Sequence, residues 1–354
     1  MVRIPHAEPP QDSVSASPSQ VEKRAPTLTS PERTDEDADP GPALRPARFS
    51  EYIGQRDLID KMQVYVDAAR QRGDALDHVL LHGPPGLGKT TLAQILAAEL
   101  DVQLHVTSGP AIEHKGVLAA LLTSLGTRDM LFIDEIHRLP PAVEESLYSA
   151  MEDRRIDLPV GEGSRARTMS FQLPPFTLAG ATTRTALLSA PLRDRFNIIE
   201  GLVFYADADL ANIVARAAQI LGVPTTSDGA HEIGRRSRGT PRIAIRLTRR
   251  IRDFVQVGPR DGIDLDGANE YLERLGVDAE GLDALDRRLL TTIITLFSGG
   301  PVGIDALAAS LGEPRDTLED VHEPFLLQRG FVIRSPRGRI ATERAEAHLR
   351  LGKG

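Results

Sequence analysis

Apolar positions along the chain fall into two alternating rhythms. Leu58, Ile59, Met62, Val66 and Ala69 recur at helical spacing, which predicts a helix over about 55–70. A short apolar run, His78-Val79-Leu80-Leu81, then leads into a glycine-rich stretch at 83–88 and an apolar helix over Thr91–Leu100. Met130-Leu131-Phe132-Ile133 and Phe176-Thr177-Leu178-Ala179 repeat the short apolar run. Fully apolar runs interleaved with helices predict a parallel sheet covered on both faces, an α/β architecture.

Between the last two runs the rhythm changes. Residues 156–175 alternate around Gly161-Glu162-Gly163-Ser164, which predicts a protruding hairpin. Its apolar members, Ile156, Leu158, Val160, Met169 and Phe171, outnumber what a hairpin buries internally. They either form a partner surface or fold back on the core. Residues 207–275 read as all-helical and arginine-rich. The last 75 residues give helical patterns at about 283–297, 303–311 and 314–329, then Phe331-Val332-Ile333, a turn at Pro336-Arg337-Gly338, and Ile340-Ala341-Thr342. Three helices and a short hairpin are the plan of a winged-helix module. The first 48 residues hold nine prolines and no Phe, Tyr or Trp, so a disordered N-terminal tail is expected over 1–40. The expected division is 41–205, 206–276 and 277–354.

Composition narrows the chemistry. The 354 residues include no Cys, which excludes disulfides, thiolate zinc sites, iron–sulfur clusters and cysteine nucleophiles. No run of 18 apolar residues and no signal-peptide pattern is present, so a cytoplasmic protein with no membrane contact is expected. With 42 Lys+Arg against 50 Asp+Glu the net charge is −8, and any grip on nucleic acid must come from a local patch. Two regions concentrate arginine. Eight arginines lie between Arg235 and Arg252 with no acid among them, and six lie within 329–350 against two glutamates. Arg334, Arg337 and Arg339 flank the predicted wing turn, where they could approach phosphates without reading sequence.

The strongest motif is Gly83-Pro84-Pro85-Gly86-Leu87-Gly88-Lys89-Thr90, a complete phosphate loop placed after a strand and opening a helix. Backbone N–H groups around Gly86, Leu87 and Gly88 would cradle phosphates at the helix N-terminus. Lys89 would bridge the β- and γ-phosphates, the Thr90 hydroxyl would coordinate Mg2+, and Thr91 completes the contact stretch. About 45 residues on, an apolar strand ends in Asp134-Glu135. Asp134 is suited to hold the metal, and Glu135 to orient or deprotonate the attacking water. An intact Glu135 favours a hydrolase over a non-hydrolysing, ATP-switched DNA-binding module. His78 and His82 lie on or beside a strand, where four residues span about 13 Å, too far to share one ion. Asp228, Asp261, Asp264 and Asp266 lack the glycine and glutamate that a calcium loop needs.

The phosphate loop, Asp134-Glu135, Gly180-Ala181-Thr182-Thr183-Arg184 and Pro191-Leu192-Arg193-Asp194-Arg195-Phe196 together resemble an AAA+ ATPase. Leu44-Arg45-Pro46, Tyr52-Ile53-Gly54-Gln55, Ile133-Asp134-Glu135-Ile136-His137-Arg138-Leu139 and Arg334-Ser335-Pro336-Arg337-Gly338-Arg339 narrow the resemblance to the RuvB family of Holliday-junction branch-migration motors, over about residues 44–350. That resemblance implies an AAA+ P-loop domain, a helical lid and a C-terminal winged-helix domain. It implies an ATP-driven homohexamer active in recombination and repair, with RuvA engaged through the 156–175 hairpin, and with RuvC. Leu44, Arg45, Tyr52 and Ile53 would line the adenine side, and Tyr205 and Arg242 would contact nucleotide from the lid. Thr183 matches the sensor at the γ-phosphate. Arg195 matches an arginine finger reaching a neighbouring subunit, with Arg193 its rival. Glu152, Asp153 and Arg154 would approach nucleotide across the same boundary. Arg334 and Arg339 are placed in DNA contact. A clamp loader or other AAA+ remodeller is the alternative, but this chain has neither zinc-binding cysteines nor a collar domain.

Overall fold

The computed structural model describes residues 44–160 and 167–351. The expected tail over 1–40 and the tip of the hairpin lie outside the described residues.

The first module runs α1 (Arg56–Arg72), β1 (Val79–His82), α2 (Lys89–Leu100), β2 (Leu104–Ser108), α3 (Lys115–Thr123), β3 (Met130–Asp134) and α4 (Pro141–Glu152). It continues with β4 (Arg155–Val160), β5 (Arg167–Gln172), β6 (Thr177–Thr182), α5 (Ala190–Arg193) and β7 (Ile198–Gly201). Five strands form one sheet in the order β2-β3-β6-β1-β7, with every pairing parallel. Side chains on its central strands alternate between two buried faces. Val79, Leu81, Met130, Phe132, Ala179 and Ala181 pack on the side of α1 and α2. Leu80, Leu131, Ile133 and Leu178 pack with α3, α4 and α5 on the other. The apolar runs mark the three central strands. The two edge strands have no such run because each is partly open to solvent.

β4 and β5 pair antiparallel, with Ile156 opposite Phe171 and Leu158 opposite Met169. The two alternatives for this hairpin divide along its length. Ile156 is buried in the core and Leu158 packs against it, whereas Met169 and Phe171 are exposed.

Four helices follow: α6 (Asp207–Ile220), α7 (Ser227–Arg235), α8 (Pro241–Val257) and α9 (Leu265–Arg274). Thr226 and Asp264 cap α7 and α9 by accepting N–H bonds from Gly229 and Gly267. Pro241 opens α8, where a missing N–H costs nothing. Their apolar faces join the core on the α1 and α2 side of the sheet, so the two modules share one buried cluster.

The last module has its own core. It contains α10 (Ala284–Leu296), α11 (Ile304–Leu311), a π-helical turn at Thr317–His322, α12 (Glu323–Gln328), β8 (Val332–Ser335), β9 (Gly338–Ala341) and α13 (Glu343–Leu351). The sequence pattern over 314–329 reads as one helix, but the backbone widens into the π turn just before Pro324. Proline has no N–H to donate and its ring crowds the carbonyl four residues back, so a regular α-turn cannot pass through it. β8 and β9 pair antiparallel as the expected wing, and α13 is an added helix beyond it.

A buried ionic cluster joins the helical module to the last one. Arg238 is 1% exposed, and its guanidinium lies 3.3 Å from Asp283 and 3.2 Å from Asp286. Asp286 also lies 2.7 Å from His322 Nδ1, and the Arg238 guanidinium sits 4.6 Å from the Phe325 ring. Asp283, Asp286 and His322 are close enough to hold a metal ion, but Arg238 already supplies the positive charge there. Removing one member of a buried ion pair strands the other, at a cost of about 3–5 kcal/mol. Asp286→Ala is therefore expected to lower stability by that amount, read as a shift in the urea unfolding midpoint at unchanged slope.

Candidate functional site

Parallel pairing brings the C-terminal ends of β1, β3 and β6 to one sheet edge, and the motif residues collect there. The loop after β1 turns sharply through Gly83 (φ +135°), Gly86 (φ +81°) and Gly88 (φ +102°). A Cβ at Gly83 would lie 2.4 Å from the Leu202 carbonyl oxygen, so only glycine fits that turn. Lys89 opens α2, is almost fully buried, and donates to the Gly83 and Pro84 carbonyls at 2.7 and 3.0 Å. Burial pulls its ammonium down to about 8, against the opposing pull of Asp134 and Glu135. Thr90 and Thr91 follow in the first turn, half-buried.

Asp134 ends β3 and accepts from the Glu135 amide at 3.0 Å. Glu135 sits in the left-handed region (φ +49°), which swings its side chain toward the end of β6. There it accepts from the Thr183 hydroxyl at 3.3 Å and lies 3.3 Å from His137 Nδ1. His137 in turn lies 2.9 Å from the Thr182 hydroxyl. Burial, and then the charge of Asp134, raise the Glu135 carboxyl above its ordinary value. The motif pattern names Asp134, Glu135 and Thr183 but not His137, whose part emerges only from the β3–β6 pairing.

The predicted adenine-side residues converge beside this loop. Tyr205 donates to the Tyr52 hydroxyl at 2.9 Å, and its hydroxyl oxygen lies 3.3 Å from the Leu87 carbonyl. Leu44 is buried, its carbonyl accepting from Arg216 at 2.9 Å, while Arg45 reaches Gln94 at 3.5 Å and Ile53 is half-buried. The helical module docks on the loop directly. The Arg242 amide donates to the Gly86 carbonyl at 3.3 Å, and the Tyr205 amide donates to Gly239 at 2.9 Å.

Arg195 lies elsewhere. It follows α5 and precedes β7, beside the start of β1, where the Ile198 amide donates to the His78 carbonyl. The length of the sheet separates it from the phosphate loop of its own chain. Its guanidinium pairs with Glu152 at 3.0 Å, donates to Pro191 at 2.6 Å and stacks 4.5 Å over Tyr148, leaving the buried Nε without a partner. Glu152, Arg154 and Arg195 line one open cleft of about 360 Å³. Asp153 pairs with Arg155 at 3.5 Å, and the more exposed Arg193 lies 3.9 Å from Asp194. His78, in the same cleft, uses Nδ1 to accept from the Leu178 amide at 2.9 Å, a structural role.

The arginine concentrations look different in three dimensions. Arg235 and Arg236 pair with Glu232, Arg238 with Asp283 and Asp286, and Arg250 and Arg252 with Asp253. Acids outside the run thus serve much of it. On the wing, Arg337 is exposed at the turn. Arg334 and Arg339 both bond Glu323 at 2.9 Å, and Arg339 also reaches Glu319 at 3.2 Å. No acid stands between Arg334 and Arg339 in sequence, but the π turn and the start of α12 bring Glu319 and Glu323 beneath them. Arg339 is 12% exposed and Arg334 52%. Burial alone would raise the Glu323 carboxyl, but the guanidiniums of Arg334 and Arg339 bring it below its ordinary range.

A phosphate loop on a parallel sheet, with paired carboxylates at the next strand's end and a helical module docked over the loop, defines an AAA+ ATPase. Three family models cover the described chain: the Holliday junction DNA helicase RuvB P-loop domain over 44–202, the RuvB AAA lid domain over 205–278, and the RuvB C-terminal winged helix domain over 279–350. The chain is 59% identical over 308 residues to the Holliday junction branch migration complex subunit RuvB of Myxococcus xanthus, covering 87% of this chain and 90% of that one. It is 60% identical over 307 residues to that of Anaeromyxobacter sp. strain K, with the same coverage. A solved structure of the Thermotoga maritima RuvB Holliday junction branch migration motor superposes with TM-score 0.80 at 53% identity, covering 87% of this chain and 98% of that one. The chain belongs to the RuvB family.

The wing carries a pH dependence of known sign. Folded Glu323 binds its proton more weakly than the unfolded chain does, so its contribution is present above pH ~4.5 and is lost as pH falls through the lower folded value. Thermal unfolding across pH 3–6 is expected to show a shallower acid-side loss for Glu323→Gln than for the unaltered protein; equal slopes would remove the assignment.

Proposed function

We propose that this chain is the ATP-driven motor subunit that moves duplex DNA during Holliday-junction branch migration in recombination and repair. The observation that carries the reading is a complete hydrolytic edge, Lys89, Asp134, Glu135 and Thr183, on the same chain as a docked lid and an arginine-bearing wing. The names of its relatives supply the reaction.

The glycine cradle and buried Lys89 fit a nucleoside triphosphate. Loop amides at Gly86, Leu87 and Gly88 bind phosphate oxygens, and Lys89 exchanges its two carbonyl partners for the β- and γ-phosphates. Leu44, Arg45, Tyr52, Ile53 and Tyr205 hold the base side. Thr90 and Asp134, a hydroxyl and a carboxylate, suit a hard cation. Mg2+ held there would neutralise phosphate charge. Glu135 accepts the proton of the attacking water, and Thr183 orients that water or the γ-phosphate. Arg242 closes the site from the lid.

Arg195 faces away from its own loop, which suits a finger supplied to the next subunit of a homohexamer, with Glu152, Asp153 and Arg154 at the same boundary. Arg195 is preferred to Arg193 because its guanidinium stacks on Tyr148 with Nε buried and lines the cleft. Exposed Met169 and Phe171 on the hairpin offer an apolar surface for RuvA, and RuvC joins the complex at the junction. Arg334, Arg337 and Arg339 meet duplex phosphates without reading sequence. Such a grip must release and re-form at any base pair. The cytoplasm is the compartment this work requires, and no described helix is long and apolar enough to cross a membrane.

Glu135→Gln is expected to retain ATP binding but to lose about 10²–10⁴-fold in turnover, and to abolish branch migration of a synthetic four-way junction. Unimpaired turnover would refute the assignment. Lys89→Ala and Arg195→Ala are each expected to be inactive alone. Mixed together, they should regain part of the ATPase activity, because an intact loop can then meet an intact finger from its neighbour. No recovery on mixing would count against a finger in trans.

A further inference from the structure

Three consecutive residues at the end of β6 do different things. Thr182 accepts from the Arg184 amide at 3.0 Å and lies against His137, and Thr183 holds Glu135. Arg184 turns away from the nucleotide edge and reaches the winged-helix module. Its Nε donates to Asp320 at 3.0 Å, a second nitrogen bonds the other Asp320 oxygen, and that nitrogen also donates to Asp316 at 2.9 Å. A bidentate guanidinium–carboxylate pair fixes orientation as well as distance.

The segment that receives Arg184 also holds the wing. Asp316 and Asp320 are four apart, and so are Glu319 and Glu323, which grip Arg334 and Arg339. Between them, His322 rests on Asp286, which pairs with Arg238 from the lid, four residues before Arg242. One turn of π-helix thus bonds the sensor end of β6 and the wing directly and reaches the lid through Asp286. A DNA phosphate arriving at Arg334 or Arg339 competes with Glu319 and Glu323 for the same guanidiniums, and so acts on the turn that carries Asp320 and follows Asp316.

We propose that Arg184 is a positioning residue that, through Asp316 and Asp320, couples DNA engagement at the wing to the placement of Thr183 and Glu135. The inference rests on the reading of Arg334 and Arg339 as DNA contacts. The turn is its two-state element: seated on Arg184 with the wing arginines paired to glutamate, or released when those arginines turn to phosphate. Nucleotide state and DNA affinity must then influence each other reciprocally.

The test uses the full chain with Asp316→Asn/Asp320→Asn, and a charge swap of Arg184→Asp with Asp320→Arg. Duplex DNA affinity is measured with and without a non-hydrolysable ATP analogue, alongside ATPase activity with and without duplex. In the unaltered protein the analogue is expected to change DNA affinity by about 5–150-fold. The double asparagine variant should keep its basal ATPase activity and nucleotide-free DNA affinity, lose the analogue's effect on affinity, and lose stimulation by DNA. The swap should restore part of both. Full coupling in the asparagine variant, equal loss of basal and stimulated turnover, or a swap that restores nothing would each overturn the proposal. Arg334→Ala/Arg339→Ala is the separate control. Unchanged DNA affinity there would refute the wing reading, whatever the asparagine variant does.

Discussion

Parallel strand pairing is the constraint on which the rest of this structure depends. When β3, β6 and β1 run side by side in the same direction, whatever follows each strand must emerge at one edge. Here the emerging groups are Asp134 and Glu135, then Thr183, then the phosphate loop. Burial on both faces holds the register, because a one-residue slip would exchange the two apolar faces of every strand. The same rule sends Arg195 to the far edge. A chain built this way gathers its phosphate loop, Asp134, Glu135 and Thr183 at one end of its sheet and leaves Arg195 at the other.

Charge is managed by pairing across modules. The negative total does not prevent DNA contact, and the arginine concentrations do not by themselves create it. Arg238 is desolvated between two aspartates, and Arg334 and Arg339 rest on Glu319 and Glu323. If the proposed wing contact holds, arginines pre-paired with carboxylates must exchange partners to meet DNA. That exchange would reduce the gross attraction to phosphate and favour a reversible grip. Such weakening suits a motor that moves along its track.

Some of this was legible in the linear order of residues. The phosphate loop, the carboxylate pair, the three central strands, the helical module and the wing each have a local signature. A glycine turn, a fully apolar run or a 3.6-residue period is imposed by backbone sterics and burial within a short window. Edge strands β2 and β7 escaped because half-exposed strands need no apolar run. The π turn escaped because Pro324 interrupts a pattern that otherwise reads as continuous helix. The hairpin reading stayed divided, and the fold divided it in fact, burying Ile156 and exposing Met169 and Phe171.

The sequence by itself determined the chemistry of the nucleotide edge and the class of fold, because the groups that bind phosphate lie within eight adjacent positions and their strand context is local. Tertiary structure alone decided which charges meet. Arg184 and Asp320 are 136 residues apart in the chain, as are Arg184 and the rest of the π turn to a similar degree, and Arg238 and Asp286 are 48 apart. No local pattern encodes such pairs. An isolated arginine or aspartate reads as a solvated surface residue until packing removes the water and leaves the opposite charge as its partner.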